Sequence, residues 1–162
     1  SSHFGPRLRQ FRLKSLPPFV HTSTAYRGMS AVKGKVLSCK GLKNVDLWGK
    51  SDPFVRVALK KGSEVLGEMK TSTKTDDLNP EWDDEAFSFA HPDAMECTLE
   101  FKVMDTGLGP DVELGEAVLP VKLIPFVDEK VTFQMSLGVH KKKALGTISV
   151  SMGVIPEASL FG

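Results

Sequence analysis

The chain is poor in several things at once. It has two cysteines, one tyrosine, two tryptophans and four histidines in 162 residues. Cys39 and Cys97 are too few for a disulfide framework, and both sit in apolar surroundings where a reduced thiol behaves as a small hydrophobe. That favours the reducing, cytosolic side of a cell. No apolar run approaches the roughly 20 residues needed to cross a bilayer, so membrane association is expected to be peripheral. The formal net charge is only +1, without the broad basic field of a generic nucleic-acid binder. Around His3, His21, His91 and His140 there is no nucleophile elbow, no phosphate-cradling glycine loop and no His/Cys metal spacing, so no catalysis is expected of this chain.

What charge there is has a distribution. Residues 1 to 30 hold Arg7, Arg9, Arg12, Lys14 and Arg27 and no acid, which leaves 16 basic and 20 acidic residues for the rest, a net of −4. This first stretch also contains Pro6, Pro17, Pro18 and a polar run from His21 to Thr24. It reads as a flexible extension outside the core. It is read as either a mitochondrial-type targeting segment or residues that are not native to the protein, added to it or translated from an untranslated region, ahead of a start at Met29. Residues 31–154 read as one domain, large enough to bury its own core, and 155–162 as a tail.

From residue 31 onward, short β-type runs alternate with turn residues at intervals of about ten, the rhythm of an all-β sandwich or barrel, and helical periodicity is nearly absent. The runs are 32–39, 53–60, 67–75, 85–90, 97–104, 114–119, 130–137 and 146–153. Alternation in Phe54, Val55, Val57 and Leu59, and in Leu99, Phe101 and Val103, predicts one apolar and one wet face for each strand. Eight such strands predict an antiparallel Greek-key β-sandwich. Breaks fall at Gly49 to Asp52, Lys61 to Ser63, Asp76 to Pro80, Gly107 to Pro110 and His140 to Lys143.

Two of the breaks carry acids. The stretch Gly41-Leu42-Lys43-Asn44-Val45-Asp46-Leu47-Trp48-Gly49-Lys50-Ser51-Asp52-Pro53-Phe54-Val55 sets two aspartates six apart across a glycine-containing loop. A second loop runs Asp105-Thr106-Gly107-Leu108-Gly109-Pro110-Asp111-Val112-Glu113. Calcium takes six to eight oxygens from carboxylates and carbonyls on a bendable loop, which such segments supply. Either cluster alone is more often an ordinary solvated turn, since Asp and Gly are turn residues.

The run from Gly41 to Val55, followed by Leu78-Asn79-Pro80-Glu81-Trp82 and Phe87-Ser88-Phe89, closely resembles the C2 domain family in order and spacing, over roughly residues 31 to 154. The closing run Gly146 to Met152 resembles that family's terminal strand in the permuted, type II arrangement. The resemblance implies a non-catalytic membrane-targeting module, cytoplasmic and peripheral, of the kind found in signalling proteins. It would bind acidic phospholipids, phosphatidylserine or phosphoinositides, through its loops. Asp46, Asp52 and Asp105 match the family's calcium-ligand positions. Gly107 stands where a further aspartate is usual and the loop is one residue shorter, with Asp111 or Glu113 as stand-ins, so weak calcium binding is expected. Leu47, Trp48 and Leu108 would form an apolar prong entering the headgroup region, where Trp is favoured. Arg56, Lys60, Lys61, Lys70 and Lys74 flank strands that carry a cationic phosphoinositide groove in the family, and Lys141, Lys142 and Lys143 make a further patch. The alternative is a calcium-independent phosphoinositide- or protein-interaction domain. The other features expected to separate from function are Cys39, Cys97 and Trp82, all read as structural.

Overall fold

The computed structural model describes residues 28–83, 85–126, 131–138 and 145–156. The predicted extension, apart from its last three residues, and Lys141, Lys142 and Lys143 lie outside them. Among the described residues there are eight strands: β1 (Ser30–Lys40), β2 (Pro53–Lys61), β3 (Glu64–Lys70), β4 (Ala86–His91), β5 (Thr98–Asp105), β6 (Val112–Pro120), β7 (Val131–Ser136) and β8 (Thr147–Pro156). They form two four-stranded antiparallel sheets, ordered β4-β1-β8-β7 and β3-β2-β5-β6. The last strand lies between β1 and β7, the place that the permuted arrangement gives to the closing run.

Alternation explains the core. Val32 and Val36 of β1, Phe87 of β4, and Ile148, Val150, Met152 and Val154 of β8 turn inward from one sheet. Val55, Val57 and Leu59 of β2 and Leu99, Phe101 and Val103 of β5 meet them from the other, all within 4% exposure. Facing side chains of two aligned sheets interdigitate in this way. Phe87 stacks on Phe89 and meets Phe101 edge-on across the sandwich, with centroids 6.1 Å apart. Gly34 is required in this wall, because a Cβ there would fall 2.4 Å from the Ser151 carbonyl oxygen and 2.6 Å from Phe87 Cζ.

Three expectations need correcting. The third strand is not 67–75 but starts at Glu64, because Gly62 takes φ 61° and closes the two-residue hairpin Gly62-Ser63 between Lys61 and Glu64, where glycine leads a type II′ turn. It stops at Lys70 because Thr71 supplies its hydroxyl, rather than its carbonyl, to the Val55 N–H at 2.8 Å. Segment 71–75 then runs beside β2 with only the Thr71 and Lys74 amides bonded to Val55 and Pro53. Phe54 does not face the core with Val55's neighbours. It shares the outer face with Arg56, yet is fully buried, paired with Met104 and covered by the Lys70 ammonium 4.0 Å from its ring centroid.

Candidate functional site

Three connections meet at one end of the sandwich: 41–52 between β1 and β2, 71–85 between β3 and β4, and 106–111 between β5 and β6. The β2–β5 register sets Pro53 opposite Asp105, which brings Asp52 beside the mouth of the third connection. Asp105 ends the inward-facing row Leu99, Phe101, Val103, so its side chain is drawn into the sandwich end and is only 3% exposed.

The first loop is shaped by its own polar side chains. Asn44 Oδ1 accepts the Asp46 N–H and Asn44 Nδ2 donates to the Gly49 carbonyl. The buried Ser51 hydroxyl accepts the Val45 N–H and donates to the Lys43 carbonyl. Beneath it lies the Leu78-Asn79-Pro80 turn: Asn79 Oδ1 accepts the Gly41 N–H and the Leu78 carbonyl accepts the Leu42 N–H. Trp82 locks this turn to the body, with its ring 2% exposed and Nε1 donating to the Ser72 carbonyl at 2.8 Å.

Aspartates tie the three loops together. Asp105 Oδ1 accepts the Asp52 N–H at 2.5 Å, and Asp52 Oδ1 accepts the Asp76 N–H at 2.6 Å. Asp76 Oδ1 in turn accepts the Lys50 N–H. The Asp105 carboxyl is held above the ordinary carboxylate range, chiefly by burial. The Asp52 N–H acts the other way, and the Asp46 and Asp52 charges push it up further. Asp46, Asp52 and Asp105 therefore share one electrostatic site. Among the described residues, no three His, Cys, Asp or Glu side chains are closed together as a metal cage. The donor set is all hard carboxylate oxygen, which suits calcium in kind, and its mutual repulsion is what a cation would relieve.

Asp111 and Glu113 are not among the charges acting on Asp105. Glu113 pairs with Met104, hence on the opposite face of β5 from Asp105, and Val112 occupies the position facing Asp105. Asp76 is the further acid joined to the group, through its N–H on Asp52 Oδ1 at 2.6 Å. Its signal in the sequence was the Asp76-Asp77 pair at a loop, since aspartate tolerates the left-handed backbone, φ 56°, that it adopts here.

Leu47 and Trp48 project from the first loop with 94% and 91% exposure, and Leu108 stands fully exposed at the tip of the third. The basic residues are dispersed. Arg56 pairs with Glu68, Lys60 with Glu100, and Lys61 with Asp93 and Glu96 at the end of β2 far from the loops. Lys70 covers Phe54, and Lys74 lies beside Pro53 near the loop end.

A family model described as C2 domain matches residues 30–137. The chain belongs to the C2 domain family. It is 35% identical over 123 residues to "Synaptotagmin-1" of Arabidopsis thaliana, covering 74% of this chain and 22% of that protein. It is 30% identical over 135 residues to "E3 ubiquitin-protein ligase NEDD4" of Rattus norvegicus, covering 78% of this chain and 15% of that one. A solved C2 domain of plant Extended Synaptotagmin 1 superposes with a TM-score of 0.67 at 34% identity, covering 80% of this chain and 95% of that domain. The chain thus spans about a fifth of the length of the plant synaptotagmin and nearly all of an isolated C2 domain. No helix among the described residues is long and apolar enough to cross a membrane.

Proposed function

We propose that this C2 domain is a non-catalytic membrane-targeting module that docks its loop end on acidic phospholipid surfaces, cytoplasmic and peripheral, with weak calcium binding as an aid. The observation that carries the reading is the exposure of Leu47, Trp48 and Leu108 at the tips of two loops beside the Asp46, Asp52 and Asp105 carboxylates. Large apolar side chains left that exposed, next to a charged cluster, fit a lipid interface better than water. Asp46, Asp52 and Asp105 would hold the calcium ion. An ion held there would supply positive charge that offsets the repulsion among these carboxylates and attracts anionic headgroups. The chain's own part is to keep these carboxylates convergent, to aim the apolar tips, and to present Lys43, Lys50 and Lys74 around them.

The ion pairs of Arg56, Lys60 and Lys61 favour the loop end over the outer face of β2 and β3 as the principal contact, because each pairing acid offsets a charge that a phosphoinositide would need. A calcium-independent phosphoinositide or protein contact is the second reading, and Gly107 in the third loop is what favours it. The likeness to a ubiquitin ligase covers 15% of that protein, so any catalytic function would belong to other parts of a longer chain.

The test is co-sedimentation with phosphatidylserine vesicles in calcium and in chelator. Calcium-dependent pelleting supports the reading. Equal pelleting in both conditions moves the binding to basic and apolar contacts. Absence of pelleting in either overturns it in favour of a protein partner.

A further inference from the structure

The apolar tip of the first loop needs something to aim it, and its own strands end several residues away. Between Lys40 and Pro53 the chain forms no regular structure, and the turn carrying Leu47 and Trp48 is closed by Gly49 at φ 87°. Opposite this turn stands Asp76, from the connection between β3 and β4.

Asp76 and the first loop exchange bonds in both directions. The Asp76 carboxylate receives the Lys50 N–H, the peptide immediately behind the tip, while the Asp76 N–H is given to Asp52 Oδ1 at 2.6 Å. The Asp77 N–H adds a bond to the Ser51 carbonyl at 3.1 Å. Asp52 is itself fixed by its own N–H on Asp105 at the end of β5. A continuous chain of charge-assisted bonds therefore runs from a core strand to the base of the tip. Bonds of that type are stronger than neutral ones. The fit is close enough that a Cβ at Gly49 would fall 2.9 Å from Asp76 Oδ1. Asp76 is the one described non-glycine residue with positive φ, 56°. A backbone held there persists because its surroundings determine it.

We propose that Asp76 is a positioning residue for membrane docking: through Lys50 and Asp52 it holds the Leu47–Trp48 tip in its projecting conformation before any cation arrives. This rests on the membrane reading above. The consequence is a part of vesicle affinity that is present in chelator, since the latch is made of protein groups alone. Ordering the tip in advance removes part of the conformational cost of inserting it.

Three variants separate geometry from charge. Asp76→Asn keeps the Oδ1 acceptor and tolerates the left-handed backbone while losing the charge. Asp76→Gly accepts the backbone angle but has no acceptor. Gly49→Ala attacks the same contact from the other side. Two measurements are made on the full chain: the backbone heteronuclear NOE of residues 46–50 without lipid or calcium, and binding to phosphatidylserine vesicles in chelator and in calcium. Asp76→Gly and Gly49→Ala are expected to lower the NOE and to weaken vesicle binding roughly three- to ten-fold in both conditions, leaving the calcium stimulation ratio as it was. Asp76→Asn is expected to fall between the wild type and Asp76→Gly, since it keeps the acceptor but loses the charge that strengthens the bond. Unchanged loop order in both Asp76→Gly and Gly49→Ala would overturn the proposal, as would an Asp76→Asn variant as impaired as Asp76→Gly, which would assign the effect to charge. Wild-type protein that binds no vesicles would sink the membrane reading, while the NOE comparison would still decide the latch.

Discussion

Asp105 Oδ1 receives the backbone N–H of Asp52 at 2.5 Å, which joins residues 53 apart in sequence and fixes the first loop to the end of β5. The bond has a chemical consequence. The same carboxylate that anchors the loop is buried and repelled by its neighbours.

Its titration gives the first prediction. Burial and the neighbouring carboxylates raise the Asp105 carboxyl above its ordinary value of 3.8. A carboxyl that binds its proton more tightly folded than unfolded contributes stability that is complete below the ordinary value and is lost as pH rises through the folded one. Asp105→Asn keeps an acceptor for Asp52 without the charge. In chelator it is expected to be more stable than the wild type at neutral pH, with a flatter dependence of Tm on pH above 4. Thermal unfolding across pH 4 to 8 checks this, and an unaltered slope would locate the pH dependence in another group. On the proposed calcium site, the wild type is expected to gain Tm on adding calcium and the variant to gain none.

Insertion and cation binding should separate by residue. Trp48→Ala removes a side chain that is 91% exposed, so folding stability should move by no more than about 0.5 kcal/mol. Vesicle affinity should fall roughly ten-fold through lost apolar burial in the interface. Asp52→Asn should abolish calcium stimulation. Titration calorimetry alongside vesicle pelleting distinguishes the two. Equal loss of calcium affinity in Trp48→Ala would end the division of roles.

Trp82 predicts a structural effect of another size. Trp82→Ala empties a fully enclosed site and frees the Ser72 carbonyl, a change expected to cost about 3–5 kcal/mol. Trp82→Phe loses chiefly the 2.8 Å bond to Ser72 and should cost about 1–2 kcal/mol. Urea unfolding measures both, and near-equal values would mean that the ring fills little of its space.

At Gly34, alanine would put its methyl against the Ser151 carbonyl and the Phe87 ring. Both neighbours belong to packed strands and have no free space to move into, so a loss of about 1–3 kcal/mol or more is expected. Wild-type stability in Gly34→Ala would show that β1 and β8 can slide apart at little cost.

The cysteines supply the last prediction. Burial pushes the Cys39 thiol up to about 12 and raises Cys97 as well. With a thiolate fraction on the order of one in ten thousand at pH 8, Cys39 should resist maleimide in the native protein and react only on unfolding. Rapid native labelling at Cys39, read by peptide mass, would contradict its burial.

An eight-stranded sandwich of C2 type was legible from the residues alone. Period-two alternation and the spacing of the aspartates against Asn79-Pro80 and Trp82 are local properties of the chain, written where they act. The start of β3 was not legible, because a glycine turn and a bulge near Leu59 and Lys60 shift a strand by three residues without altering composition. Nor could the residues alone reveal that Asp76 ties Lys50 to Asp52, or that Glu113 lies on the wrong face of β5 to join Asp105. The pairing of Arg56, Lys60 and Lys61, each with an acid from a different strand or turn, was equally hidden. Those facts depend on register between segments distant in sequence, and register is fixed only when the two sheets close on their shared core.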